Sequence, residues 1–396
     1  MIEPTATASS PAASSPAAGA PVAPRAYAAV DLDAVRASTA TLVARAGSAA
    51  TMAVVKADGY GHGMLPCARA ALDGGATWLG VAVLEEALAL RAAGITVPVL
   101  SWLMAPGEPL DAALRADIDL SASAPWALAE IAAAARATGR AARVHLKADT
   151  GLGRAGAPAA DWPALCDVAA ALRAEGVLDV VGVWSHFAFA DAPGHPTVQG
   201  QIGRFTDAVA IAQKAGLRPQ VRHLANSAAT LVSPEAHFDL VRPGISIYGL
   251  SPGPDVGRPA DLGLRPAMRL AARVALAKRV APGTGVSYAH RYVTEAETTL
   301  AVVPIGYADG VPRTATNLGE VLLAGRRRRI AGTVCMDQFV LDVGDDPVAD
   351  GDEAVLFGPG DDGEPTADDW AAALGTINYE IVSRVGARVP RVYRDA

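Results

Sequence analysis

Two hydrophobic patterns alternate along the N-terminal part of the chain. Short apolar runs rich in Val, Ile and Leu are typical of buried strands, whereas longer Ala-rich segments with apolar residues every three or four positions are typical of amphipathic helices. The runs predict strands at residues 51–57, 77–83, 97–102, 118–121, 143–148, 178–185, 220–224 and 238–241. The segments between them predict helices at residues 64–73, 84–93, 125–138, 162–175 and 198–215.

The alternation of strands and helices indicates an α/β fold. The count of eight strands favours a (β/α)8 barrel of the TIM type, although a doubly wound open sheet also fits the alternation. We assign residues 26–254 to this barrel. The short apolar stretch at its start, residues 26–33, can pair instead with the region that follows the barrel.

The pattern changes near residue 255, after which short apolar runs are separated by turn residues. These runs predict strands at residues 268–280, 300–305, 320–323, 328–333, 338–343 and 353–357. We therefore expect a β-strand-rich C-terminal domain over residues 255–396. The four consecutive arginines at 326–329 are interpreted as a solvated strand edge or turn.

Composition argues against several classes of protein. The net charge of -7 disfavours a nucleic-acid binder, and no run of about 20 apolar residues could span a membrane. The three cysteines lie far apart without metal or redox spacing, which favours a cytoplasmic location. Residues 1–25 are almost only Ala, Ser and Pro, and they predict a disordered tail. Glu3 and the many prolines do not fit a secretory signal.

Lys56 ends an apolar run directly before a turn, and it is one of only four lysines among 34 basic residues. A strand end is a costly place to bury an ammonium group. Arginine stays charged and cannot attack a carbonyl, whereas lysine can lose its proton and do so. The position therefore suggests amine chemistry, with a strand-end lysine that reaches solvent as the alternative.

Polar residues follow the predicted barrel strands, where barrel enzymes place their chemistry. They are Lys56, Tyr60, Lys147, Asp149, Arg154, Ser185, His186, Asp191, Asn226, Ser227, Arg242, Gly244 and Tyr248. Singly, His186 also fits a core histidine and Arg242 a salt bridge at the rim. Together the residues supply an amine, two guanidiniums and an imidazole. This set suits an aldehyde cofactor whose phosphate is held by N–H groups near Ser227 and Gly244.

Nine short segments stand out in order along residues 26–394. They are AVVKADGYGHG (53–63), DTGLGR (149–154), SHFA (185–188), ANS (225–227), RPGISIYG (242–249), GVSY (285–288), PIGYADG (304–310), CMDQ (335–338) and INYE (377–380). Together they resemble the signatures of the alanine racemases. The resemblance leaves out only the N-terminal tail.

The resemblance implies a homodimeric enzyme that uses pyridoxal 5'-phosphate (PLP) to interconvert L- and D-alanine, for peptidoglycan or for alanine catabolism. Lys56 would hold the cofactor as a Schiff base and serve one face of the flattened substrate carbon, and Tyr288 from the second subunit would serve the other face. Both side chains ordinarily have pKa values near 10, so neighbouring positive charge must lower them. Without the resemblance, Tyr288 would be interpreted as an ordinary aromatic in a Gly-rich turn.

The resemblance also implies roles for further residues. Arg242 would face the pyridine nitrogen and keep it unprotonated, which limits side reactions. Arg154, and Met336 from the second subunit, would bind substrate, and Lys147 is a candidate for carbamylation. The remaining cofactor-binding residues would be Tyr60, His186, Asn226, Ser227, Gly244, Ile245 and Tyr379. The residues of the access channel would be Asp191, Arg313 and Ile377.

Two positions depart from the family pattern. Thr333 stands where some relatives carry an arginine in the access channel, and Asp58-Gly59 replaces a common Asn-Ala pair. Three alternatives stay open beside the alanine enzyme. A fold-related PLP decarboxylase would need a carboxylate facing the ring nitrogen, a racemase of broader specificity usually has a signal and a disulfide, and a non-catalytic PLP-binding carrier lacks the second domain.

Overall fold

The computed structural model describes residues 24–394. Strand β1 (Ala26–Asp31) precedes a sheet of eight parallel strands. These are β2 (Ala50–Val54), β3 (Trp78–Val81), β4 (Val99–Ser101), β5 (Asp119–Ala122), β6 (Ala142–Lys147), β7 (Leu178–Trp184), β8 (Val221–His223) and β9 (Leu240–Val241). Main-chain hydrogen bonds join β8 and β9, from Asp239 N to Arg222 O at 3.1 Å and from Arg242 N to Ala225 O at 2.9 Å. The sheet therefore curls into the predicted barrel, and an open sheet is wrong.

Helices cover the outside of the barrel. The short turn α2 (Lys56–Tyr60) is the exception and lies at the barrel mouth. The helices are α1 (Leu32–Ala46), α3 (Met64–Asp73), α4 (Leu84–Ala92), α5 (Leu110–Arg115), α6 (Pro125–Thr138), α7 (Trp162–Ala174), α8 (Pro196–Lys214) and α9 (Ser227–Val232). Side chains alternate between the two faces of a strand. In β6, Val144 and Leu146 belong to the core between sheet and helices, so His145 and Lys147 point into the barrel. The barrel interior is thus partly polar.

The rest of the chain is mainly β. It contains β10 (Met268–Arg273), β11 (Leu276–Val280), β12 (Gly285–Val286), β13 (Tyr292–Val293), β14 (Thr298–Val303), β15 (Glu320–Leu323), β16 (Arg326–Arg329), β17 (Phe339–Gly344), β18 (Glu353–Phe357), α10 (Ala367–Leu374), α11 (Asn378–Ser383) and β19 (Arg391–Arg394). The short 3-10 helices are Pro234–Ala236, Ile245–Tyr248, Pro259–Leu262, Tyr288–His290, Tyr307–Asp309 and Arg313–Ala315. The predicted strand 268–280 is two strands, and the arginine run is itself an edge strand, β16.

Strand β1 belongs to the sheet of the β region. It pairs antiparallel with β10 and parallel with β19, in the strand order β16-β15-β18-β10-β1-β19. Of the predicted tail, only residues 24 and 25 fall within the described part of the chain; the rest of that prediction lies outside it. Arg25 Nη2 is 2.6 Å from Oδ1 of the buried Asp309. The domain boundary near residue 255 stays a prediction. Between residues 24 and 394, no helix has the length and apolar character needed to cross a bilayer.

Candidate active site

Lys56 follows β2 in a left-handed turn that other parts of the barrel hold in place. The backbone φ angles of Ala57, Asp58 and Tyr60 are 53°, 51° and 51°, a conformation that non-glycine residues rarely adopt. Glu86 accepts a hydrogen bond from Ala57 N at 2.6 Å, and Asp58 accepts one from Met64 N at 2.8 Å. The Asp58 carboxylate therefore has a structural role at the start of α3. The turn holds Lys56 at the barrel mouth.

The surroundings of Lys56 favour its neutral amine. Burial lowers the pKa of Lys56, the positive charge of Arg154 lowers it further, and Glu86 opposes both effects. The Lys56 Nζ atom is 5.8 Å from the centre of the Trp102 ring and 5.9 Å from that of Tyr60. A less basic amine beside aromatic walls is the form that attacks an aldehyde and accepts a proton.

Arg242 is buried at the mouth and hydrogen-bonded on several sides. Its Nη2 atom donates to Ser185 O at 2.8 Å and lies 3.3 Å from His186 Nδ1, while its Nη1 atom lies 3.2 Å from His223 Nδ1. Burial lowers the pKa of Arg242 to about 9, so the guanidinium is still charged at neutral pH. Burial and the nearby Arg242 also lower the pKa of His186 well below its ordinary value, so the imidazole is neutral and accepts this hydrogen bond.

A second part of the mouth brings several predicted cofactor residues together. Ser227 Oγ accepts a hydrogen bond from Gly244 N at 2.8 Å, and Asn226 Oδ1 fixes the start of α9 by accepting from Ala229 N at 3.1 Å. A Cβ on Gly244 would lie 2.3 Å from the Tyr60 hydroxyl, so only glycine lets Tyr60 approach this backbone. The next residue, Ile245, is buried, and the Tyr60 and Tyr379 rings lie 6.2 Å apart.

Lys147 lies inside the barrel with its Nζ atom 4.2 Å from the centre of the Trp184 ring. Burial lowers the pKa of Lys147 to about 8, and the charges of Arg242 and Arg154 contribute. Asp149 accepts hydrogen bonds from Gly151 N at 2.9 Å and Gly153 N at 3.1 Å, which shapes the loop that carries the exposed Arg154.

Tyr288 and Met336 lie on the β domain, where their side chains are 71% and 53% exposed. They line a surface cavity of about 550 Å³ in which every lining residue comes from the β domain. The Tyr288 backbone is fixed, because Thr333 Oγ1 donates to Tyr288 O at 2.8 Å and Ser287 Oγ donates to Thr333 O at 2.7 Å. Thr333 is itself buried, so it supports Tyr288 rather than lining an open channel.

Two of the predicted access-channel residues gather around the loop at residues 251–259. Ile377 and Tyr379 line a cavity of about 420 Å³ against this loop. A Cβ on Gly253 would lie 3.1 Å from the Asp191 Cβ atom, so Asp191 borders the same loop. Arg313 is exposed in a 3-10 helix of the β domain and is not among the residues that line this cavity.

Sequence reasoning missed four residues that shape the mouth: Glu86, Trp102, Trp184 and His223. Trp102 is the last residue of one predicted strand, and Trp184 is the last but one of another. The polar candidates were chosen because they lie at strand ends, so the same criterion could have indicated these two tryptophans. His223 lies inside a predicted strand of alternating side chains. The role of Glu86 depends on two loops that meet only in the fold, and the sequence gives no indication of it.

Two family domains match the chain in order. Residues 30–252 match the family described as alanine racemase, N-terminal domain, and residues 267–393 match alanine racemase, C-terminal domain. The chain belongs to the alanine racemase family. Membership confirms the predicted fold class, a barrel followed by a mainly-β domain, and the predicted enzyme class, a PLP-dependent amino-acid racemase.

Individual alanine racemases are similar over nearly their whole length. The alanine racemase of Frankia casuarinae is 81% identical over 369 residues, which cover 93% of this chain and 96% of the relative. The crystal structure of the enzyme from D-cycloserine-producing Streptomyces lavendulae has a TM-score of 0.94 at 58% identity, covering 95% of this chain and 98% of the other. The Bacillus anthracis enzyme with bound L-Ala-P has a TM-score of 0.86 at 36% identity, covering 95% and 96%.

The residues at the mouth fit the PLP of an alanine racemase. An aldehyde needs an amine with a lowered pKa, and Lys56 has one. A ring nitrogen that is to stay unprotonated needs a charged donor, and Arg242 is buried and charged. A phosphate is held by hydroxyl and backbone N–H groups, and Ser227, Gly244 and the Tyr60 hydroxyl lie together at the mouth.

Proposed function

We propose that this chain interconverts L- and D-alanine as a homodimer, with Lys56 on one face of the substrate carbon and Tyr288 of the partner subunit on the other. One observation carries the proposal. Lys56 lies in a buried mouth on the barrel, whereas Tyr288 is exposed beside a cavity built only from the β domain. A head-to-tail pair of chains would place each exposed face against the other chain's barrel mouth.

Bound PLP supplies the electron-withdrawing group that makes the Cα–H of alanine acidic. Lys56, as a neutral amine, takes or returns the proton on one face. The partner subunit's Tyr288 takes or returns it on the opposite face, and proton exchange on both faces inverts the centre. Burial, and after it the positive charge of Arg154, lower the pKa of Lys56 from its ordinary value, which brings the base closer to working pH.

The other site residues bind and orient. Arg154 pairs with the substrate carboxylate, and Met336 of the partner subunit limits the size of the side chain that fits. Arg242 stays a charged donor toward the ring nitrogen, because its pKa of about 9 keeps its proton on. The residues that we assign to the phosphate and the cofactor ring are Tyr60, His186, Asn226, Ser227, Gly244, Ile245 and Tyr379. We assign the access channel to Asp191, Arg313 and Ile377.

We also propose that Lys147 is carbamylated. Its neutral amine would bond to the carbon of CO2 and release one proton, which gives an anion; counted from the ammonium ion, two protons are released and a cation becomes an anion. Beside Arg242 and Arg154 an anion is favoured, because a charged Lys147 would repel both. The lowered pKa of about 8 leaves part of the Lys147 population neutral and able to react. A carbamate would then position Arg154 for the substrate carboxylate.

We place the reaction in the cytoplasm. The three cysteines, Cys67, Cys166 and Cys335, are all free thiols, and unpaired thiols fit a reducing compartment. The same feature separates this chain from broad-specificity relatives that carry a disulfide. D-alanine for peptidoglycan and alanine catabolism are both served by the proposed reaction.

A panel of amino acids in deuterated water tests the proposal. The purified holoenzyme is expected to convert L-alanine and D-alanine to the same mixture, with deuterium at Cα and no loss of amine. L-serine, L-lysine and L-glutamate run in parallel. Exchange of all of them at similar rates would indicate broader specificity, and CO2 release would indicate a decarboxylase. Bound PLP without any exchange would indicate a carrier and contradict the proposal.

A further inference from the structure

A line of four buried polar residues crosses the barrel interior. Asp119 on β5, His145 on β6, His223 on β8 and Arg242 after β9 are each at most 5% exposed. Arg242 Nη1 is 3.2 Å from His223 Nδ1, His223 Nε2 is 2.8 Å from His145 Nδ1, and His145 Nε2 is 3.2 Å from Asp119 Oδ2. The line joins the start of one strand to the barrel mouth, where Arg242 lies.

The two ends of this line fix the direction of every hydrogen bond in it. A guanidinium can only donate and a carboxylate can only accept. His223 Nδ1 must therefore accept from Arg242, so His223 carries its proton on Nε2 and donates to His145 Nδ1. His145 in turn carries its proton on Nε2 and donates to Asp119. Each imidazole is neutral, in a single tautomer.

The packing around these four residues leaves the two imidazole rings little room for other orientations. A Cβ on Gly182 would lie 2.2 Å from His145 Nδ1, so β7 omits a side chain where the His145 ring passes. The Trp184 and His223 rings are stacked with their centres 5.6 Å apart, and the edge of Trp78 meets His145 at 5.7 Å. These contacts hold the two rings in orientations that keep the hydrogen bonds aligned.

The charges agree with the tautomers. Burial raises the pKa of Asp119, but hydrogen bonds from His145 and Arg143 outweigh this and lower it below its ordinary value. Arg143 Nε is 2.6 Å from Asp119 Oδ1. Burial, followed by the charge of Arg242, holds the pKa of His223 well below its ordinary value. The line therefore has a carboxylate at one end, a guanidinium at the other and a neutral His223 beside the guanidinium; that His145 is also neutral follows from the hydrogen-bond directions alone.

We propose that Asp119 is a positioning residue that acts on Arg242 through His145 and His223, so that Arg242 faces the cofactor ring as a charged donor in one orientation. This inference rests on the proposed role of Arg242 opposite the ring nitrogen. Asp119 itself touches neither substrate nor cofactor. Its carboxylate selects the tautomer of His145, which selects that of His223, and His223 then accepts from Arg242 and from nothing else.

The substitution Asp119→Asn tests the direction of the hydrogen bonds between these four residues. Asparagine keeps the size of the side chain but offers one acceptor oxygen where the carboxylate offers two. Arg143 Nε makes the shorter bond to Asp119, 2.6 Å against 3.2 Å for His145 Nε2, and it is charged, so we expect the oxygen to stay with Arg143 and the NH2 group to face His145. The holoenzyme, labelled with 15N in its histidine rings, is measured by NMR. Two of the seven histidines are assigned from His145→Gln and His223→Gln variants. In the wild type, His145 and His223 are expected to be neutral with the proton on Nε2, and in Asp119→Asn at least one of them is expected to change tautomer.

The kinetic expectation for Asp119→Asn is a fall in kcat of about tenfold, the scale found when the partner of a functional side chain is removed. KM for alanine is expected to stay within about twofold, because substrate contacts do not change. Asp179→Asn is the matched control: Asp179 is half-exposed, and its charge also acts on Arg143, but it has no hydrogen bond to either ring. This control is expected to leave kcat and both ring signals unchanged.

Gly182→Ala tests the same line without changing any charge, since its methyl group collides with the His145 ring. It is expected to alter the His145 signal and lower kcat like Asp119→Asn. Should Gly182→Ala fail to fold, Asp119→Asn alone decides. Wild-type rings in mixed or charged states, or unchanged ring signals and kcat in a folded Asp119→Asn, would overturn the proposal. Failure of the proposed function would appear separately, as a wild-type protein that does not exchange alanine.

Discussion

The barrel mouth and the face of the β domain that carries Tyr288 are opposite kinds of surface. In the mouth, burial and neighbouring cations lower the pKa of Lys56 and Lys147 within one chain. On the β-domain face, Tyr288 is solvated, and Met336 is also more than half exposed. In the proposed reaction, the pKa of the amine base is therefore lowered within its own subunit, whereas the phenol needs another surface to remove it from water.

Both regions nevertheless hold their base on a strained backbone. Residues 57–60 after β2 have positive φ angles, and so do Ser287, Ala289 and His290 around Tyr288. In each case a side chain from elsewhere in the chain supports the turn: Glu86 in α4 accepts from Ala57 N, and Thr333 in a loop donates to Tyr288 O. Such conformations persist where the surrounding structure enforces them. The barrel mouth and the Tyr288 face therefore differ in their exposure to solvent, but each has a backbone turn that is held in place by a side chain from elsewhere in the chain.

Replacing Lys56 is the strongest test of the role proposed for the barrel mouth. We expect Lys56→Ala to lower alanine racemisation by at least about 10^4-fold, the scale for loss of a group that acts directly in the reaction. The yellow colour that is typical of amine-bound PLP should be lost as well. Lys214→Ala, at the exposed end of α8, is the control and should keep full activity. A Lys56→Ala protein that racemises alanine at the wild-type rate would refute the assignment.

Mixing subunits tests whether the two regions complete each other across a dimer. Lys56→Ala and Tyr288→Phe proteins, each nearly inactive in racemisation, are unfolded together and refolded. A head-to-tail mixed dimer contains one doubly altered site and one intact site, so about a quarter of wild-type activity should return with random pairing. In the control, Tyr292→Phe replaces Tyr288→Phe. The Tyr292 hydroxyl donates to Asp342 at 2.7 Å and has no proposed role in the reaction, so this control should show that refolding itself preserves activity.

No recovery in the mixture, together with about half of wild-type activity in the control, would mean that Lys56 and Tyr288 act within one chain; half is the control's limit, because half of its subunits lack the Lys56 amine. Isotope effects sharpen the same point. Tyr288→Phe alone is expected to slow proton removal from one enantiomer more than from the other, because only one face loses its base. Equal primary isotope effects on L- and D-alanine would contradict the two-base assignment.

The barrel was more predictable from the sequence than the β domain. All eight barrel strands were predicted within a few residues, because strands buried on both faces are continuous apolar runs. The predicted strand 268–280 was too long, since the strand pairing breaks at Val274 and Ala275, two apolar residues that give no turn signal. Strand β19 was missed, because its two apolar residues stand between arginines and its partner β1 lies at the other end of the chain.

Site residues could be predicted from the sequence where their position in the barrel alone indicates a role. They were harder to predict where the role depends on tertiary contacts. Lys56 and Arg242 could be chosen because they follow barrel strands. Tyr288 could not be chosen from its local sequence, and only the family resemblance indicated it. From the sequence, Thr333 was assigned to the access channel. Its burial and its hydrogen bond to Tyr288 O depend on the tertiary structure and could not be predicted. A contact between distant loops leaves no periodic pattern.

A smaller effect is expected at Lys147, which tests how far charge tunes the barrel half. We expect 13C-labelled bicarbonate to give a carbamate NMR signal that Lys147→Gln abolishes and Lys214→Gln retains. The signal should weaken as the pH falls below about 8, because the protonated amine cannot attack CO2. Lys147→Gln should lower kcat about tenfold by releasing Arg154. A wild-type protein without this signal above pH 8 would contradict the carbamate.

The smallest effect is expected from Thr333→Val, which tests the rigidity of the β-domain half. Valine keeps the shape of threonine but loses the hydroxyl that donates to Tyr288 O at 2.8 Å. The loss of one hydrogen bond is worth about 1 kcal/mol, so we expect kcat to fall about fivefold if that energy holds Tyr288 in place. Thr138→Val removes a similar hydroxyl-to-carbonyl bond on α6 and controls for stability alone. If both variants lost the same stability and neither lost activity, Tyr288 would not depend on Thr333. The partner surface, rather than its own turn, would then orient the phenol.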